Sequence, residues 1–244
     1  MLINIILLFL FAGVPYYVYF EKTKKLKREQ VFLLSTFLLL CGIVLDSIFP
    51  QEISMPYVVV AFLSSLFTLY KANKTTNLYK LAYYVLFFNA PILIMFKPEQ
   101  SVLYALSLLL TLFGLYFIAK YYERNYGSAN YQSVSGITLM TPYAGLFFTT
   151  YLTALALYPP FPNSILFLHG ILATDMNSML YIILIVIFFG NFLIAVRVMA
   201  KTVFGKPNDT VHYVELTAKE KKLHLALVIV LLLLSLVGLK EVLS

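Results

Sequence analysis

The chain has 244 residues, of which 61% are hydrophobic and only 12% charged, and its formal net charge is +7. Soluble globular chains carry roughly 25% charged residues, so this composition argues against a water-soluble fold and for a bilayer as solvent. The apolar runs are continuous and do not alternate, which disfavours a β-barrel and leaves helices that pair their own backbone polar groups.

The first run, Leu2 to Phe20, is too long for a signal-peptide core and has no basic residue before it, so it reads as a retained helix. Further helices are expected at about 31–48, 56–70, 79–96, 101–121 and 137–158. A discontinuous helix is expected over about 162–200 and a last one at about 222–241. The predicted fold is therefore all-α, a polytopic transmembrane helix bundle of about eight crossings with one discontinuous helix. The single cysteine, Cys41, lies inside a run, so no intrachain disulfide can form.

Sixteen of the eighteen Lys and Arg residues fall in four connections, at 21–30, 71–80, 120–136 and 197–222. The intervening connections near 49–55, 96–100 and 158–162 hold only Lys97. Basic loops stay on the cytoplasmic side, which predicts an N-terminus outside and the four basic connections inside. Here the positive charge orients the chain at a membrane surface, and no nucleic-acid partner is expected. If 120–136 and 197–222 share a side, the chain between them crosses an even number of times. With 137–158 as one crossing, 162–200 counts as one more. Its first piece, 163–173, is too short to span, whereas 178–200 is long enough, and Thr174 to Asn177 between them is mostly polar.

Pro159, Pro160 and Pro162 cannot continue a helix, and Asn163 suits the N-cap of the next piece. Thr217 with Glu220 three residues on has the capping-box spacing and predicts a helix start before the last apolar run.

Ionisable groups at membrane depth are costly and tend to be functional. Three are candidates for an ion pathway. His169 is either a proton relay or a buried histidine bonded to a carbonyl freed by the break. Asp175 either joins that relay or caps the helix starting near Ser178. Lys120 either snorkels to the surface or takes part in conduction. Glu123 and Arg124 are expected to pair with each other or with a neighbouring subunit, Arg197 and Lys201 to anchor a helix end, and Asp46 to sit at the interface. There is no iron–sulfur cysteine cluster, no Gly-rich phosphate loop and no metal-ligand spacing. No catalytic residue, cofactor or metal is therefore expected. His212 and His224 are given no chemistry.

Residues 122–240 resemble the C-terminal half of the antiporter-like membrane subunits of respiratory complex I, a family that also includes Mrp-type antiporter and energy-converting hydrogenase subunits. The resemblance rests on five pieces in order: Tyr122-Glu123-Arg124-Asn125-Tyr126-Gly127; Gly136-Ile137 with Pro142; Leu155-Ala156-Leu157-Tyr158-Pro159-Pro160-Phe161; Arg197 with Phe204-Gly205; and Glu215-Leu216-Thr217-Ala218-Lys219-Glu220. Residues 1–100 show no such likeness, so the chain divides into N-terminal helices without a recognised family (1–100) and an antiporter-like part (101–244). The family places a Lys or Glu just beyond the proline pair, where this chain has Phe167, and a histidine in the helix before the Y-E-R loop, where it has Ser107. The resemblance implies a non-catalytic membrane subunit of a larger ion-translocating redox complex, with a proton as the ion. Two roles stay open, supplying part of the pathway or bracing a full-length antiporter-like subunit. The alternative is a free-standing secondary ion transporter. Other membrane subunits and the lipid bilayer are the expected partners, and a prokaryotic cell membrane the expected location.

Overall fold

The computed structural model describes residues 2–50, 54–132, 134–174, 178–207 and 211–243. Every regular element in them is a helix. In chain order these are α1 (Leu2–Leu10), α2 (Tyr17–Thr23), α3 (Arg28–Ile48), α4 (Met55–Lys74), α5 (Leu78–Phe88), α6 (Ala90–Met95), α7 (Pro98–Tyr126), α8 (Ile137–Met140), α9 (Pro142–Leu155), α10 (Pro162–Ala173), α11 (Ser178–Thr202) and α12 (Ala218–Leu243). Among the described residues six stretches are long and apolar enough to cross a bilayer: α3, α4, α5 with α6, α7, α11 and α12. The chain is a polytopic helical bundle of an integral membrane protein.

Local chemistry sets the ends. A proline opens the first turn of α4, α6, α7, α9 and α10, where its missing N–H would have no intrahelical partner. Gly127 closes α7 in the left-handed conformation at φ 74°. The Thr217–Glu220 capping box forms: Thr217 N donates to Glu220 Oε2 (2.9 Å) and Glu220 N to Thr217 Oγ1 (3.4 Å), so α12 begins a turn before its apolar run.

The middle of the bundle is α5–α6, where Leu78 to Ile94 is buried throughout except Lys80. A helix apolar on all sides has no face to offer water and goes to the centre. At the other extreme, α12 attaches by a narrow seam of His224, Leu231, Ser235 and Gly238. Gly238 allows the backbone to approach Ile165 and Leu166 on α10, since a Cβ there would lie 3.0 Å from Ile165.

Two further apolar stretches are split. The run 2–20 forms two short helices, with a turn at 11–16 that holds Gly13 and Pro15 and puts Ala12 at φ 60°. Proline cannot bond back into a preceding helix, and glycine weakens it. The pair α9–α10 is split around the three prolines, with Leu157 at φ 57°. Both positive-φ residues carry a Cβ, a conformation costing roughly 1–3 kcal/mol that persists only where tertiary packing enforces it.

The link expected at Thr174 to Asn177 falls between α10 and α11 and from residue 175 lies outside the described residues; a further break stands at 156–161, between α9 and α10. Helix α7, 29 residues and about 43 Å long, serves as the ruler. Phe148 of α9 meets Tyr122, and Tyr151 meets Gly114. On α10, Asn163 then meets Thr111, Phe167 meets Tyr104, and Gly170 meets Phe96 just before α7. Helices α9 and α10 thus run end to end along α7, broken near its midpoint, and α11 with 25 residues crosses separately. The crossing number between the basic connections stays even. Parity cannot distinguish the two arrangements; the contacts with α7 can.

The connections rich in Lys and Arg gather at one end, hereafter the basic end. Leu78 N donates to Ala129 O and Tyr131 N to Thr76 O, tying the turn before α5 to the loop after α7. Tyr213 Oη donates to Ser135 O (2.6 Å) and Glu215 accepts from Tyr143 N (3.2 Å), tying 211–217 to the start of α9. Arg197 does anchor a helix end: it donates to Ala72 O (2.7 Å) and Thr75 O (3.2 Å), the orphan carbonyls at the end of α4. Burial raises the phenol of Tyr131, in this same loop layer, above its ordinary range, while the Arg197 guanidinium beside it pulls the other way.

Candidate functional site

One face of α7 carries Tyr104, Ser107, Thr111 and Gly114, spaced by three and four residues and all buried. They form a polar seam through the interior. At its centre Tyr104 Oη donates to Asn89 Oδ1 (2.8 Å). Asn89 Nδ2 donates to Asn191 Oδ1 (3.0 Å) and to Val85 O (2.8 Å), and Asn191 Nδ2 returns a bond to Asn89 Oδ1 (2.8 Å). Asn89 sits at the junction of α5 and α6, so this reciprocal pair joins the central helix to α11. Thr111 Oγ1 donates to Asn163 Oδ1 (3.2 Å) at the start of α10. Asn163 is fully buried and its Nδ2 has no partner among the described residues.

Toward the basic end the seam continues through Tyr151, whose ring lies so close to Gly114 that a Cβ there would be 2.3 Å from it. Tyr151 Oη and His224 Nδ1 are 2.9 Å apart, and the imidazole, 1% exposed, stacks on Phe147. His224 lines a cavity of about 360 Å³ together with Lys120, Glu123, Arg124 and Glu220. The charges there are matched. Lys120 lies 3.0 Å from Glu29, and Arg124 lies 2.6 Å from Glu220. Tyr79 Oη donates to Glu123 (2.8 Å), so Glu123 and Arg124 pair with other elements and not with each other.

Toward the other end the seam stops. Phe167 lies 6.3 Å, ring to ring, from Phe96, Tyr104 and Phe188 alike. Phe96 in turn fills the space beside Gly170. This aromatic cluster separates the seam from an open cavity of about 1220 Å³, lined by Asp46, Lys97, Glu99, Gln100, His169, Thr174 and Glu241 among others. Asp46, 5% exposed, lies in the last turn of α3.

The two ion-pathway candidates among the described residues, His169 and Lys120, are not brought together. His169, half-buried, faces the large cavity, which touches α7 only as far as Leu103. Lys120 lies at the basic end, seventeen residues or about 26 Å further along that helix. Asp175 lies outside the described residues. Pro159 and Pro160 stand in the break and Pro162 opens α10.

Sequence reasoning missed the amide pair, the His224–Tyr151 contact and a charged knot at the end of α2. In that knot Glu21 meets Lys71 Nζ (2.6 Å) and Lys80 Nζ (3.2 Å), and it accepts from Tyr83 Oη (2.8 Å) and Tyr84 Oη. Tyr17 beside it shares a hydrogen bond with Thr68 (3.0 Å). The asparagines had a readable signal, a side-chain amide in the middle of an apolar run. The partners of Glu21 are fifty or more residues away and had none.

No protein-family model matches the sequence, and no curated protein matches it. The architecture defines the class, an integral membrane bundle with split crossings. Within that class the chain is similar to a solved one, a chain of respiratory complex I from Thermus thermophilus with bound NADH. The TM-score is 0.66 at 17% identity, over 83% of this chain and 46% of that one. At that identity the likeness is one of fold, and this chain spans less than half the length of its counterpart.

Proposed function

We propose that this chain is an antiporter-like membrane subunit of a proton-translocating redox complex, in which it braces a full-length neighbour and does not itself carry protons through the bilayer. The observation that carries the reading is Phe167. The position where the resembling family has a Lys or Glu is filled by a ring packed among Phe96, Tyr104 and Phe188. Hydrogen-bonded relay needs polar groups or water in contact, and an apolar plug interrupts it. The fold likeness to a chain of respiratory complex I supports the subunit reading. The net charge at the basic end supports a cytoplasmic placement of that end, with the N-terminus outside.

The test has two arms. The tagged full chain is purified from its native membrane in mild detergent and whatever accompanies it is identified; antiporter-like and other membrane subunits are expected. The chain alone is then reconstituted in vesicles with an imposed pH gradient and a trapped pH dye, and no dissipation above empty vesicles is expected. A monomer that collapses the gradient would overturn the bracing role in favour of a free-standing ion transporter.

A further inference from the structure

The corner between α2 and α3 holds five cations within seven residues: Lys22, Lys24, Lys25, Lys27 and Arg28, all exposed. Their natural counterions in the chain are already engaged. Glu21 is held by Lys71 and Lys80 from α4 and α5, and Glu29 by Lys120 from α7. Among the described residues none of the five forms an ion pair. Lys25 makes a hydrogen bond of 3.3 Å to the hydroxyl of Tyr19 and lies over its ring, and the charge of Lys27 reaches Glu29 weakly through space, so neither meets a carboxylate in an ion pair. The fold has thus spent both local carboxylates on distant lysines and left the corner with uncompensated positive charge.

What lies beside the corner is apolar. Tyr19 is 54% exposed, and from the corner α3 presents Leu33, Phe37, Leu40 and Val44 as an exposed ridge. The spacing of four, three and four residues keeps them on one face. From Leu33 to Val44 the ridge is about 16 Å long, close to one leaflet's hydrocarbon depth of about 15 Å. A cationic head above an apolar ridge of this length, flanked by an interfacial tyrosine, is complementary to one chemistry. From this we propose that the α2–α3 corner binds the headgroup of an anionic phospholipid, whose acyl chains lie along the α3 ridge. The observation favours lipid over an acidic protein surface because the ridge continues the site into the hydrocarbon layer.

The test uses the purified full chain in mild detergent, mixed with equal amounts of phosphatidylglycerol and phosphatidylcholine bearing the same acyl chains. Retained lipid is counted by native mass spectrometry. The wild type is expected to retain phosphatidylglycerol preferentially. A cation near an anionic lipid surface contributes roughly fivefold in partitioning, so K24Q/K25Q/K27Q is expected to lower the preference by tenfold or more. All three side chains are exposed, and an unchanged helical circular dichroism spectrum confirms that the variant is folded. Equal retention of the two lipids by the wild type would overturn the site, and so would an equal fall in K219Q/K221Q/K222Q, which removes charge at another basic connection. Displacement of the lipid by glycerol 3-phosphate at the same concentration would show that the acyl chains contribute nothing. Binding of polyglutamate without any lipid preference would assign the corner to an acidic protein instead.

Discussion

The amide pair at the centre of the bundle yields an asymmetric prediction. Leucine has nearly the shape of asparagine, so Asn→Leu changes hydrogen bonding more than volume. In Asn191→Leu, Asn89 keeps a partner for each atom: Oδ1 still accepts from Tyr104, and Nδ2 still donates to Val85 O. Only the two inter-amide bonds are lost, each worth roughly 0.6 kcal/mol inside a membrane bundle, giving a cost of about 1 kcal/mol. In Asn89→Leu, the Asn191 amide and the Tyr104 hydroxyl both lose that partner at 1% and 0% exposure. An orphaned buried polar group costs roughly 1–3 kcal/mol, so the expected loss is about 3–5 kcal/mol. The double variant removes one of the orphans and should be more stable than Asn89→Leu alone, and adding Tyr104→Phe should recover more. Reversible unfolding in mixed detergent micelles measures all four. If Asn191→Leu costs as much as Asn89→Leu, or if the two penalties simply add, the hydrogen-bond assignment at this centre is wrong.

Three further outcomes follow from the same contacts. Gly114→Ala would place a Cβ 2.3 Å from the Tyr151 ring, which is itself bonded to His224; the ring cannot swing away freely, and a loss of about 1–3 kcal/mol is expected in the same unfolding assay. Glu21→Gln leaves Lys71 and Lys80 facing each other without a carboxylate, so thermal stability should fall, and high salt should restore part of it by screening the two ammonium groups; a salt-independent loss would point to packing instead. With Cys41 replaced by serine, single cysteines introduced at Thr23 and Lys206 should respond alike to a membrane-impermeant thiol reagent in intact cells, because both connections belong to the basic end; labelling of one alone would contradict the crossing number.

Much of this architecture is local information and was legible in the residues. Apolar runs of spanning length define α3, α4, α7, α11 and α12, because burying a helix in lipid requires only that its own side chains be apolar. Thr217 with Glu220 marks the start of α12, because a capping box closes within one turn. The proline cluster at 159–162 marks a break, since proline ends a helix regardless of its neighbours. What the tertiary structure decided is where each piece goes. Whether the half-helix opened by Pro162 completes α9 or begins α11 depends on which side chains it meets on α7, and parity is the same either way. That Glu21 serves Lys71 and Lys80, leaving the nearby lysines uncompensated, depends on contacts between residues fifty or more positions apart. The separation of His169 from Lys120 by most of the length of α7, with the Phe167 cluster lying between the seam and the cavity, is likewise a fact of depth. Periodicity assigns a residue to a face of its own helix, but its depth and its partner are set only when the helices pack.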